Sequence, residues 1–368
     1  MATVAPDLAL RPSANMLGRA WRWMRVNLLG SPLNIVLTVA MLAVFWFTLA
    51  PLVRWAVIDA TIAGDSKAGC TGAGACWTFI KVRFPMFFYG RYPVDERWRV
   101  DLAALLLAVF AVPAMLDKLR HRWIAVLALV AVYPVIAGIL LRGGIIGLRS
   151  VETALWGGLM LNAVLTFLAV AGSLPFGILL ALGRRSKFPV VRIFSICFIE
   201  LWRGVPLLTA LFMGMVMLPL FLPNGVTVDN LVRAAVALTL FTSAYMAEVV
   251  RGGLQAIPLG QFDGAKALGL GFWQMQALIV LPQALRIVVP NIVNTVIDLF
   301  KDTTLVVIVS LFDMLGVVNQ SLKDSAWLGM AKEGYAFAAL VFFVCCWSMS
   351  LYSRRLERRL GVEQPGRH

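Results

Sequence analysis

The sequence predicts an all-α integral membrane protein of about eight transmembrane helices, and three observations carry that prediction. Of the 368 residues, 60% are hydrophobic and only 14% charged, with a mean hydropathy of +0.84. A soluble domain carries about 25% charged residues and does not read this way. Apolar runs near the roughly 20 residues needed to cross a bilayer recur along the chain. The net charge of +14 is gathered in short basic clusters between those runs. Clusters so placed set topology, whereas a nucleic-acid face needs a basic surface interleaved with aromatics on a soluble element.

Taken in order, residues 1–30 form a polar tail with Arg11, Arg19, Arg22 and Arg25. The tail lacks the apolar core and small-residue cleavage site of a signal peptide, and its charge places the N-terminus in the cytoplasm. Leu33 to Ile58 then runs outward as the first span, and residues 59–100 form an external loop. Leu102 to Leu116 returns to a charged turn at Asp117–Arg122, and Trp123 to Leu141 goes out again, so residues 31–150 make a three-span extension. His121 lies in that turn without a second ligand and reads as a solvated residue rather than part of a metal site.

Thr153 to Leu182 is a long inward span in which Gly157 and Gly158 permit close helix contact and Pro175 permits a kink. Val190 to Leu222 goes outward. It carries Glu200 and Arg203 at i and i+3, close enough to pair on a helix, and the pair reads first as structural. Pro223 to Asp229 turns outside, and Asn230 to Val250 returns, with Glu248 and Arg251 repeating the spacing. The path from Ala284 to Asn319 is interrupted by Lys301 and Asp302, and Gln320 to Glu333 is polar and external. Gly334 to Tyr352 crosses last and ends at Arg354–Arg359, cytoplasmic by charge, before the tail 356–368.

One stretch does not fit a bundle of spans. Residues 252–283 lie between two apolar segments yet contain Gln255, Gln261, Asp263, Lys266, Gln274 and Gln276, too many polar groups for hydrocarbon. Phe262, Ala265, Leu268 and Phe272 recur at helical spacing, Gly269 and Gly271 interrupt, and Pro282 stops the pattern. This predicts two short helices meeting at a glycine bend on the membrane surface, where a glycine lets another protein approach the backbone.

The residues Asp263-Gly264-Ala265, then Gly269, then Ile279-x-Leu281-Pro282 resemble the E-A-A, G, I-x-L-P signature of ABC importer permeases. Asp263 stands for the family's Glu and keeps its carboxylate, and Gly264 stands for its first Ala. Glu200-x-x-Arg203-Gly204-x-Pro206-Leu207 and Lys301-Asp302-Thr303-Thr304-Leu305 are similar to segments of polar amino acid permeases. GACWTFIK, FFYGRYPVDERWR and VETALWGGLM resemble the M-type permease subunit of general L-amino-acid ABC transporters.

The resemblance implies a five-helix permease core over residues 151–355. It also implies a cytoplasmic coupling helix that docks on an ATPase, with Asp263, Gly264, Ala265, Gly269, Ile279, Leu281 and Pro282 in the coupling element. The implied partners are two ABC ATPase subunits, a Q-type permease homologue and a periplasmic amino-acid-binding protein. ATP and Mg belong to the ATPase, because this chain has no G-x-x-x-x-G-K-[ST] loop, and no cofactor is expected on this chain itself.

For the translocation path the candidates are Lys301, Asp302, Thr303, Thr304, Glu200 and Arg203. Phe300 lies ten residues past Pro290, roughly 15 Å at helical rise and about half the hydrocarbon thickness, so Lys301 and Asp302 fall near the midplane. Charges there line a path, or they pair with each other or with Glu200 and Arg203 to fix packing. Cys197, Cys345 and Cys346 lie in apolar segments as small hydrophobes. Cys70 and Cys76 share the external loop with Gly72 and Gly74 between them, and are expected to bridge. No nucleophile or metal constellation is visible. An ATPase-independent transporter or channel is the alternative reading, but such folds show paired interrupted helices and inverted repeats, and only one interrupted segment is found.

Overall fold

The computed structural model describes residues 16–70, 72–115, 122–145, 147–221, 223, 225 and 227–360. Arg11, most of the charged turn with His121, and the tail beyond Leu360 lie outside them. The described chain forms two compact units, residues 1–78 and 79–368.

In the first unit, α1 (Met16–Asn27) precedes α2 (Pro32–Val53), which a π-helical turn continues to Ile58. Ser31 starts α2 by accepting a hydrogen bond from the Asn34 amide at 3.1 Å, with Pro32 at the first helical position, where its missing N–H costs nothing. Beyond α2, Cys70 and Cys76 are bridged with Cα atoms 5.6 Å apart. The Trp77 indole donates to the Ala56 carbonyl at 2.7 Å, and the Trp77 amide donates to the Thr61 carbonyl at 2.8 Å.

Residues 59–100 are not a loop throughout: α3 (Trp77–Tyr89) is a helix of 13 residues. It forms because Phe79 and Phe87 fall on one face and find aromatic partners, Phe79 against Trp327 at 5.4 Å and Phe87 against Phe337 at 5.6 Å. α4 (Arg97–Met115), α5 (Arg122–Leu127) and α6 (Tyr133–Arg142) follow, the last two joined by a π-helical turn into one 19-residue apolar helix. The later part of the extension packs into the rest of the chain: Tyr92, Val100, Ala103 and Leu141 share one core with Leu161, Leu165 and Leu238 of the C-terminal half.

The C-terminal half is built on α7 (Gly158–Arg184). The span expected from Thr153 begins with a tight turn and an extended pair, Trp156 and Gly157, before the helix starts. Gly157 and Gly158 bridge to the extended residues Phe312 and Asp313, and Gly158 also closes on the backbone of α3, where a Cβ would stand 2.5 Å from the Phe87 carbonyl oxygen. A Cβ on Gly157 would stand 2.7 Å from the Phe312 carbonyl oxygen.

The single span expected over Val190–Leu222 is broken. α8 (Pro189–Gly204) and α9 (Leu207–Val216) meet at 106°. The cause is Pro206, which forces Val205 into an extended conformation (φ −103°, ψ 134°) and ends α8.

α10 (Asn230–Gln255) packs along α7, where Gly177 lets the two backbones close: a Cβ there would lie 2.7 Å from the Met246 Cβ. Two short helices, α11 (Leu259–Ala267) and α12 (Phe272–Met275), lead through a π-helical turn into α13 (Leu281–Asp302). Pro282, expected to stop a helix, sits in the first turn of α13, where it is tolerated. After Asp302 the chain tightens into a 3₁₀ turn over Thr303–Val309 and passes the left-handed Ser310 into β1 (Phe312–Asp313). α14 (Met314–Leu322) and α15 (Ala331–Leu360) complete the unit.

Five described helices are long and apolar enough to cross a membrane, and the bent α8–α9 pair would make six. The other two expected spans are helical as well. The stretch from Leu102 runs out of the described residues at Met115, and α13 carries Arg286, Asp298, Lys301 and Asp302 within 22 residues.

Candidate functional site

The hairpin between α10 and α13 has the geometry of a docking surface. Gly269 adopts φ +72°, a left-handed conformation that closes α11, with its own amide donating to the Lys266 carbonyl at 2.9 Å and the Leu270 amide donating to the Ala265 carbonyl at 3.2 Å. Ala265 faces inward, buried in one core cluster with Leu254, Met275, Val280 and Ala284. Leu259, Leu268, Phe272, Trp273 and Leu278 all face outward instead. Such a row of large exposed apolar groups marks an interaction site.

Asp263 and Lys266 pair on the outer surface at 3.4 Å, and Gly264 is open. Ile279 and Leu281 pack into the core beneath, and Pro282 is exposed. The hairpin is tied down by Arg185, which donates to the Leu254 carbonyl at 3.2 Å and covers the Phe262 ring at 5.5 Å, and by Gln283, which donates to the Gln261 side chain at 3.0 Å.

Above it, an ion cluster joins three helices. Arg184 at the end of α7 reaches Glu200 of α8 at 3.0 Å and Glu248 of α10 at 2.9 Å. Glu248 pairs with Arg251 at 2.7 Å, as the i, i+3 spacing predicts, and with Arg203 at 3.7 Å. Glu200 and Arg203 therefore do not pair with each other; the neighbouring helices supply opposite charges in better reach. Arg184, which belongs to one of the short basic clusters between apolar runs, is the hub.

A cavity of ≈ 490 Å³ lies between α10 and α13, walled by Phe241, Thr242 and Tyr245 on one side and Thr295, Asp298, Lys301 and Asp302 on the other. Lys301 pairs with Asp298 at 2.8 Å, one helical turn back, and not with Asp302, Glu200 or Arg203. An i, i+3 partner is presented on the same face, whereas Asp302 follows Lys301 directly and points elsewhere. Tyr245 links cavity and ion cluster, its ring 6.0 Å from the Arg203 guanidinium.

Thr303 and Thr304 divide. Thr304 is half-buried and donates to the Lys301 carbonyl at 2.8 Å. Thr303 is fully buried and accepts from the Asn162 amide at 2.8 Å, within a polar node in which Asn162 also donates to Asp313 at 3.2 Å and accepts from the Met314 amide at 3.0 Å. That node fixes the break after α13 and keeps Thr303 out of the cavity wall.

Sequence reasoning missed the rest of this face. Asn291, Asn294, Asp298 and Lys301 are all exposed and recur at three- and four-residue steps along α13. A helical count of polar residues, rather than a search for interruptions, would have found the stripe.

A helical membrane bundle whose docking hairpin joins the two helices walling a charged cavity defines the membrane subunit of a transporter moved by a separate partner. Residues 173–362 match the family described as binding-protein-dependent transport system inner membrane component, and this chain belongs to that family. It is 51% identical over 352 residues to the inner membrane amino-acid ABC transporter permease protein YhdY of Escherichia coli K12, covering 96% of each chain. It is 40% identical over 423 residues to the glutamate/glutamine/aspartate/asparagine transport system permease protein BztC of Rhodobacter capsulatus, again covering 96% of each. The probable glutamine ABC transporter permease protein GlnP of Bacillus subtilis is 34% identical over 208 residues, covering 56% of this chain and 93% of that protein. The permease resemblance carried by the sequence motifs is met, and the chain is a multi-pass permease subunit of the inner membrane.

Proposed function

We propose that this permease subunit carries L-amino acids into the cytoplasm, driven by ATP hydrolysis in two separate ATPase subunits that hold ATP and Mg. The observation that carries the reading is that α10 and α13 both wall the charged cavity and flank the docking hairpin. A push on Leu259, Leu268, Phe272 and Trp273 therefore acts directly on the helices that hold Tyr245, Asp298, Lys301 and Asp302. Closure of ATPases against the hairpin would rock those helices between outward- and inward-open arrangements.

The cavity chemistry suits an amino-acid zwitterion. Asp302 and Asp298 offer carboxylates to a substrate ammonium, and Lys301 offers an ammonium to a substrate carboxylate. In this single chain the polar stripe of α13 is open, with Asp298 and Lys301 side chains 67% and 54% exposed. Charges on a span do not face lipid, so the stripe faces an aqueous path closed by a second permease, a Q-type homologue. A periplasmic amino-acid-binding protein delivers substrate from outside. The basic clusters support cytoplasmic N- and C-termini, which put the hairpin on the ATPase side.

The test is affinity purification of the tagged chain followed by uptake measurements in a strain lacking it. Copurification of an ATPase, with uptake of labelled amino acids lost in the deletion strain and restored by the wild-type gene, is expected. Unchanged uptake of every amino acid in a full panel would overturn the proposal.

A further inference from the structure

The first compact unit carries a surface for which translocation has no use. On α1, at about 100° per residue, Trp23, Ala20, Met24 and Trp21 fall within one arc of roughly 160°, with an indole at each edge and one polar residue, Asn27, inside it, its side chain tied back to the Trp23 carbonyl. Arg25 and Arg22 fall on the opposite arc, which Val26 shares. Trp21 and Trp23 are 61% and 60% exposed. Indoles at the borders of an apolar strip, with guanidinium groups behind it, are the composition of a helix lying in the headgroup layer.

The place of α1 along the membrane normal is set by its connection to the span. Only Leu28 to Ser31 separate α1 from α2, and this turn is held by hydrogen bonds. The Asn27 side chain donates to the Trp23 carbonyl at 2.9 Å, the Asn34 side chain donates to the Asn27 carbonyl at 3.3 Å, and the Thr38 hydroxyl donates to the Leu28 carbonyl at 3.1 Å. α2 is apolar apart from Asn34, Thr38 and Thr48 and buries none of its residues, as a lipid-facing span does. Four residues reach at most about 14 Å, so the C-terminal end of α1, with Trp23 and Met24 in its last two turns, stays within the depth of the interface where α2 enters hydrocarbon.

We propose that α1 is an interfacial anchor that lies along the membrane surface, with Trp21, Trp23 and Met24 at the headgroup boundary and Arg22 and Arg25 on the phosphates of anionic lipids. Only the choice of the cytoplasmic leaflet rests on the proposed topology. An acidic protein surface would satisfy the arginines, but it would not explain an apolar strip held at the mouth of a lipid-facing span.

The experiment uses the full chain with Cys197→Ser, Cys345→Ser and Cys346→Ser, leaving the Cys70–Cys76 bridge oxidised. Met24→Cys or Arg22→Cys is added, and the protein is placed in vesicles of phosphatidylcholine alone or with phosphatidylglycerol. The labelling rate by a water-soluble maleimide is then read. The cysteine at 24 is expected to label much more slowly with phosphatidylglycerol present, while that at 22 stays fast. Arg22→Gln with Arg25→Gln should remove the protection, at about fivefold per arginine.

Equal, fast labelling at both positions in both vesicles would overturn the anchor. Equal protection in both vesicles would overturn the anionic-lipid assignment. Protection that appears only on adding ATPase subunits would overturn it in favour of a protein dock. The assay needs no transport, so failure of the transport proposal leaves it readable.

Discussion

Arg184 and Glu248 stand 2.9 Å apart, although 64 residues separate them in the chain. The same guanidinium reaches Glu200 at 3.0 Å, so one side chain ties α7, α8 and α10 together just above the docking hairpin. Both members of the pair are mostly buried, with side chains 26% and 16% exposed. Breaking it should therefore cost more than the 0–1 kcal/mol typical of a surface bridge, and less than the roughly 3–5 kcal/mol of a fully buried one. Arg184→Gln is expected to lower the unfolding midpoint in detergent by several degrees. Arg184→Lys should recover only part of it, because a point charge cannot serve two carboxylates as the planar fork does. Equal midpoints for wild type and Arg184→Gln would remove the cluster from the stability account.

At Gly269 two effects separate cleanly. The left-handed φ of +72° penalises any L side chain by about 1 kcal/mol, but a Cβ there meets nothing within 4 Å. A large residue therefore strains the turn only mildly within this chain, and its bulk falls on whatever docks. Gly269→Trp is expected to abolish uptake at near-normal membrane abundance, and Gly269→Asn, which tolerates the conformation, to retain most of it. Normal uptake by Gly269→Trp would refute the docking role.

The bridged pair Cys70 and Cys76 predicts thiol accessibility. In the non-reduced, denatured protein Cys197, Cys345 and Cys346 should label and these two should not, three adducts by mass rising to five after reduction. Five adducts without reduction would rule the bridge out.

For the cavity, Asp302→Asn, Lys301→Met and Asp298→Asn are each expected to reduce uptake at least tenfold while leaving complex assembly intact, since the Asp298 and Lys301 side chains are largely exposed and pack little. Wild-type uptake in all three would exclude them from the path. Lost assembly would assign them to packing with the second permease instead.

How far the sequence could be read depended on whether a feature was local. The hairpin from Gln255 to Pro282 was legible because helical spacing and a glycine bend are short-range signals, and α11, Gly269 and α12 lie where they were expected. The break at Val205–Pro206 is equally local, but the surrounding apolar run predicts one span and masks it. Arg184 could not be assigned, since its two acidic partners come from other helices and nothing in the turn around it distinguishes a hub from a topogenic charge. Asn162 and Asp313 went unnoticed for the same reason: their bond joins residues 151 apart. α3 was missed because its helix depends on aromatic partners near the far end of the chain.

The central claim is that this chain moves amino acids only when ATPase subunits act on its hairpin. The direct measurement is uptake of labelled amino acids into proteoliposomes holding this chain, its partner permease and the binding protein, with and without the ATPase subunits and ATP. Accumulation that requires both ATPase and ATP, and is lost with Gly269→Trp, is the predicted result. Accumulation that proceeds without the ATPase would contradict the account.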